Sequence, residues 1–76
     1  MEVVIVTNVS SIITQRDMLE IFDRYGFVRS VKLISDGVWR VEFGDHRDAI
    51  DAIRDLDGRT IEDRRVRVFS PIPWAP

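Results

Sequence analysis

The sequence predicts an α+β domain: a four-stranded antiparallel sheet in the order β-α-β-β-α-β, with two helices on one face and the other face open. Three observations predict it. A tight Asp36-Gly37 turn separates two runs that alternate in character, the period-2 pattern of paired, half-buried strands. Two segments, residues 15–25 and 46–56, instead carry apolar residues at helical spacing, as helices with one buried stripe do. Runs rich in β-branched residues at 3–6 and 65–69 flank the whole, so each half reads strand, helix, strand.

Taken in order, Val3-Val4-Ile5-Val6 is apolar on both faces and belongs inside the sheet, and Asn8-Val9-Ser10-Ser11 ends it. Thr14 followed by Asp17 reads as an N-cap with an acidic N3 residue. Met18, Ile21, Phe22 and Tyr25 then share one helical face until Gly26 stops the helix. Residues 29–34 form the second strand, and the Asp36-Gly37 turn leads into the third, residues 38–43. There Trp39, Val41 and Phe43 face a core, while Arg40 and Glu42 face water and Val38 is the apolar exception on their side. Asp45 caps a second helix with Ala49, Ala52, Ile53 and Leu56 on its buried stripe, and Asp57-Gly58 closes it. Residues 59–63 read as a connecting loop with Ile61 tucked against the core edge. In the fourth strand, residues 65–69, Val66 and Val68 point inward and Arg67 and Phe69 outward. With right-handed crossovers the first and third strands lie centrally, which is a ferredoxin-like sandwich. The domain takes residues 1–70, and the proline-rich residues 71–76 form an extended tail.

Bulk composition narrows the function. Seventy-six residues make one small domain. Without cysteine, and with His46 as the lone histidine, neither a disulfide framework nor a metal centre is expected. There is no Ser/His/Asp or Cys/His set and no glycine-rich phosphate loop, so an enzyme is not expected, nor a cofactor. No apolar run approaches the roughly 20 residues that span a bilayer, and residues 1–10 lack the basic start of a secretory signal, so the expectation is an intracellular chain with no membrane partner. The formal net charge of −2 argues against strong non-specific attraction to nucleic acid, although Arg59, Arg64, Arg65 and Arg67 crowd the last quarter. A positive patch, or a set of solvated short-range pairs, are the two readings of that crowd.

The plan and its residues resemble the RNA recognition motif, and more narrowly the first such motif of SR-type splicing factors. Val4-Ile5-Val6-Thr7-Asn8-Val9 stands where the family has its first-strand motif, and Asp36-Gly37-Val38-Trp39-Arg40-Val41-Glu42-Phe43 where it has the third-strand motif. Residues 24–31, 41–49 and 56–61 look very like the matching SR segments. The resemblance implies a single-stranded RNA partner, a role in RNA processing such as splicing, a nuclear setting, and a module taken from a longer protein. It also implies three stacking rings on the open face, but their positions hold Ile5, Val38 and Arg40. At about 1 to 3 kcal/mol per base–aromatic stack, that loss is on the order of 3 to 9 kcal/mol, less whatever guanidinium stacking by Arg40 recovers. Trp39 stands where the family has Gly or Ala, and its parity makes it a core residue packed against Ala49 and Ala52.

The candidate RNA site is therefore an altered face: Ile5, Thr7, Lys32, Val38, Arg40, Glu42, Arg67 and Phe69, with Trp74 folding back from the tail. Phe69 and Trp74 either stack on bases or cover Ile5, Ile34 and Val38. On the helix side, Leu19 and Ile50 stand where this helix pattern places polar residues, and they mark an alternative role as a protein-interaction or homodimer module, with other RNA-processing proteins as partners.

Overall fold

The computed structural model describes residues 2–72. Its elements are β1 (Glu2–Thr7), α1 (Gln15–Asp23), β2 (Val28–Ser35), β3 (Val38–Phe43), α2 (His46–Leu56), a short hairpin of β4 (Thr60–Ile61) and β5 (Arg64–Arg65), and β6 (Arg67–Phe69). The main sheet has the order β2-β3-β1-β6 with every pairing antiparallel, so the first and third strands are central as the crossovers require. Helix α1 lies over β2 and α2 over β1, β3 and β6, all on one side. Among the described residues, no helix lies on the opposite side.

One continuous core holds the layers together. Val4, Val6, Val31, Trp39, Val41, Phe43 and Val68 of the sheet, with Val66 just before its last strand, pack in one cluster with Met18 and Phe22 of α1 and Ala49, Ala52 and Leu56 of α2. Phe22 and Phe43 meet edge to face with ring centroids 6.1 Å apart. Trp39, 6% exposed, belongs to this cluster, as its parity with Val41 and Phe43 requires.

Local chemistry sets the helix ends. Thr14 and Asp17 form a reciprocal capping box, with the Asp17 amide donating to Thr14 Oγ1 at 3.1 Å and the Thr14 amide to Asp17 Oδ2 at 2.9 Å. The helix expected over 15–25 ends at Asp23, because Tyr25 and Gly26 donate to the carbonyls of Phe22 and Asp23, three residues back, and tighten the last turn. Asp45 caps α2 by accepting from the Arg47 amide at 2.8 Å.

The Asp36-Gly37 hairpin forms as read, and one other connection departs from the sequence reading. In the β2–β3 turn only Gly37 takes a positive φ, +73°, so this is not the doubly left-handed turn that matches strand twist. The register slips between Leu33 and Ser35 to accommodate it. The expected loop over 59–63 is a second hairpin: Glu62 and Asp63 both lie in the left-handed region, at +49° and +61°, and join β4 to β5. Val66 continues that hairpin, exchanging bonds with Gly58 and Arg59, each 2.9 Å, and the last strand of the main sheet therefore starts at Arg67 rather than Arg65. Ile61 does pack against the core edge.

Candidate nucleic-acid interface

Backbone register aligns four open-face side chains across the sheet. Lys32 of β2 pairs with Arg40 of β3, Arg40 with Ile5 of β1, and Ile5 with Phe69 of β6. At strand spacings near 4.8 Å the row runs about 14 Å. Lys32 and Phe69 are exposed, Arg40 and Ile5 half-buried. Thr7 lies opposite Arg67 on one side of the row, and Glu42 opposite Ser30 on the other. Val38, also half-buried, is two residues before Arg40 on the same face. The structure thus gathers eight of the nine expected residues on one surface; Trp74 lies outside the described residues.

Charge on this face is only partly neutralised. Arg40 Nη1 stands 3.6 Å from Glu42 Oε1, which also accepts from Ser30 Oγ at 3.3 Å. The Arg40 side chain keeps 36% of its surface exposed against 12% for Glu42, so at this length the pair leaves the guanidinium partly open to solvent. Lys32 makes no ion pair among the described residues. Arg67 donates from Nε to Asp57 Oδ1 at 3.1 Å, and the same oxygen accepts from the Val68 amide at 2.9 Å. The Val68 bond first, then Arg67, holds the Asp57 carboxyl below the usual carboxylate range against a partial desolvation cost.

The remaining arginines of the C-terminal crowd are occupied locally. Arg59 pairs with Asp55 at 3.1 Å, Arg65 donates to the Gly58 carbonyl at 3.1 Å, and Arg64 donates to Asn8 Oδ1 at 2.6 Å. Of the four, Arg59 and Arg67 sit in short-range ion pairs, while Arg64 and Arg65 bond neutral carbonyl oxygens. Tyr25 donates to Asp55, and burial, with this bond next, raises its phenol above the ordinary value.

Leu19 is exposed and Ile50 half-buried, and neither joins the buried cluster. Among the described residues no group of His, Cys, Asp or Glu is arranged to hold a metal ion, and no helix is long and apolar enough to cross a membrane. Sequence reasoning missed a polar hollow at one end of the open face, where Asn8, Ser11, Asp36 and Arg64 come together from three loops. The signal that pointed there was Asn8 directly after a strand, since asparagine tolerates the left-handed backbone it adopts, φ +63°.

The family model for the RNA recognition motif matches residues 4–67. The chain belongs to that family. Among curated proteins, this RNA recognition motif is 53% identical over 49 residues to human serine/arginine-rich splicing factor 3, covering 62% of this chain and 30% of that protein. It is 38% identical over 68 residues to the Caenorhabditis elegans probable splicing factor, arginine/serine-rich 3, covering 86% of this chain and 26% of that one. The SR-type resemblance read from the residues is therefore shared with full-length SR proteins, of which this chain spans less than a third. Among solved structures, the motif superposes on the Sxl-lethal protein/RNA complex with a TM-score of 0.89 at 23% identity, covering 97% of this chain and 48% of that chain.

Proposed function

We propose that this RNA recognition motif is the RNA-binding module of an RNA-processing protein of the splicing type, nuclear in setting, that holds single-stranded RNA across its open face. The observation that carries the reading is the in-register row Lys32–Arg40–Ile5–Phe69, which combines two cations, an apolar floor and one ring on the side of the sheet away from the helices. Lys32, Arg40 and Arg67 contact phosphates, Phe69 stacks on one base, and Ile5 and Val38 form the floor beneath the next. A solved relative of the same fold is an RNA complex and the curated relatives are splicing factors, which supports this assignment. With one ring in place of three, binding is weaker than on a fully aromatic face and more dependent on salt.

The experiment is an NMR titration of the labelled domain with short single-stranded RNAs at low and physiological salt, following the amides of Ile5, Lys32, Val38, Arg40, Arg67 and Phe69. Shifts confined to this set are expected. Shifts confined to the helices move binding to another surface, and no shift at millimolar RNA leaves a protein-interaction role in its place.

A further inference from the structure

The polar hollow at the end of the open face has a volume of about 460 Å³ and is lined by Thr7, Asn8, Ser11, Asp36, Gly37 and Arg64 among others. Its walls are tied together. The Val9 amide donates to the Gly37 carbonyl at 3.0 Å, fixing the loop after β1 to the β2–β3 turn. Asn8 ties the same loop to the β4–β5 hairpin, with Nδ2 donating to the Arg65 carbonyl at 2.9 Å and Oδ1 accepting from Arg64 Nη2 at 2.6 Å. The left-handed backbone of Asn8 aims its amide at both arginines, and the amide in turn orients the Arg64 guanidinium at the rim. Within this tied frame, the hydroxyls of Thr7 and Ser11 and the Asp36 carboxylate make no hydrogen bond among the described residues, and Asp36 forms no ion pair there.

A pocket that presents a carboxylate and a guanidinium to one space suits a neutral ligand with donors on one edge and acceptors on another. A phosphate satisfies Arg64 and is repelled by Asp36. A nucleobase satisfies both, and guanine does so best. Its N1–H and N2 amino group are adjacent donors that match the two oxygens of a carboxylate, while O6 and N7 are the acceptors an arginine reads. Adenine and cytosine offer the carboxylate one amino group, and uracil one imino proton.

We propose that this hollow is a base pocket that selects guanine, with Asp36 and Arg64 as the specificity-determining residues. The inference rests on the reading that single-stranded RNA crosses the row of Lys32, Arg40, Ile5 and Phe69. Thr7 joins the two sites, because it lies two residues beyond Ile5 on the same face, about 7 Å along β1, and also lines the hollow. RNA on the row therefore delivers its next base to the pocket.

The test uses uridine hexamers carrying a single guanine or a single inosine at each position in turn, bound to the wild-type chain and to Asp36→Asn. Inosine lacks only the N2 amino group. Anisotropy gives affinity, and the amides of Lys32, Arg40, Ser11 and Gly37 report location. At one position guanine is expected to bind about tenfold tighter than inosine. Asp36→Asn is expected to abolish that preference while the Lys32 and Arg40 shifts with the all-uridine hexamer persist. Row shifts at Lys32 and Arg40 with guanine and inosine equal at every position, or a preference that survives Asp36→Asn, overturn the pocket and leave the row standing. Absence of row shifts with every hexamer overturns the row, and with it the delivery of a base to the pocket.

Discussion

Restoring one ring to the open face gives the sharpest test of where RNA lies. Ile5→Tyr places an aromatic side chain at the centre of the row, between Arg40 and Phe69 in register. Directly opposite residues on one sheet face have Cβ atoms about 5 Å apart, so the new ring lies within reach of both neighbours. Ile5 is half-buried, lies outside the core cluster and is covered by no helix among the described residues, so a longer side chain extends outward without displacing the core. Tyrosine is also a favoured strand residue, and stability is expected to stay within about 0.5 kcal/mol of the parent. A base–aromatic stack is worth about 1 to 3 kcal/mol, which converts to roughly a 5- to 150-fold gain in affinity. Because the substitution carries no charge, the slope of log K against log salt should not move. Fluorescence anisotropy with a labelled single-stranded hexamer at four salt concentrations reads both quantities. An affinity that stays level or falls in a folded Ile5→Tyr domain refutes the placement of RNA on this row.

Three further outcomes are expected. Arg40→Ala should weaken binding and reduce the salt slope by about 0.7, the value of one lost phosphate contact on a single strand; an unchanged slope means Arg40 does not meet a phosphate. Trp39→Ala removes a nearly buried indole and should cost about 3 to 5 kcal/mol, a large part of the stability of a 76-residue domain, which urea denaturation measures. Asp57 has a depressed carboxyl in the folded chain, so its ionised form stabilises the fold above the unfolded carboxylate range, near pH 4, and this contribution is lost as pH falls through the lower folded value. Asp57→Asn keeps an acceptor for the Val68 amide but has no charge to lose, so the drop in Tm between pH 5 and pH 2 should be smaller than in the parent, by scanning calorimetry.

Much of the fold was legible because it follows from local chemistry. Strict alternation over 38–43 fixed the inward set of Trp39, Val41 and Phe43, and the Thr14/Asp17 pair fixed the start of α1. The β4–β5 hairpin was hidden because its turn, Glu62-Asp63, lacks the Asn-Gly or Asp-Gly signature. Its strands are two residues each, too short to show a period. Outward-facing site residues followed from the same parity as the core. Which arginines were available did not, since Asp55, Asp57 and Asn8 find Arg59, Arg67 and Arg64 only after the chain has folded. The hollow at the end of the face was hidden for a similar reason: residues 8, 36 and 64 share no pattern in the sequence and meet through loop geometry.

The two outer strands of the sheet each carry a side-chain stopper. Gln15 Nε2 donates to the Val31 carbonyl of β2, 2.9 Å, and Asp57 takes the Val68 amide of β6, 2.9 Å. Both are groups that a foreign strand would otherwise claim, and the bulge in β2 twists the remaining edge out of alignment. Each outer strand thereby has one backbone group fewer to offer a foreign strand, which hinders lateral growth of the sheet at both ends.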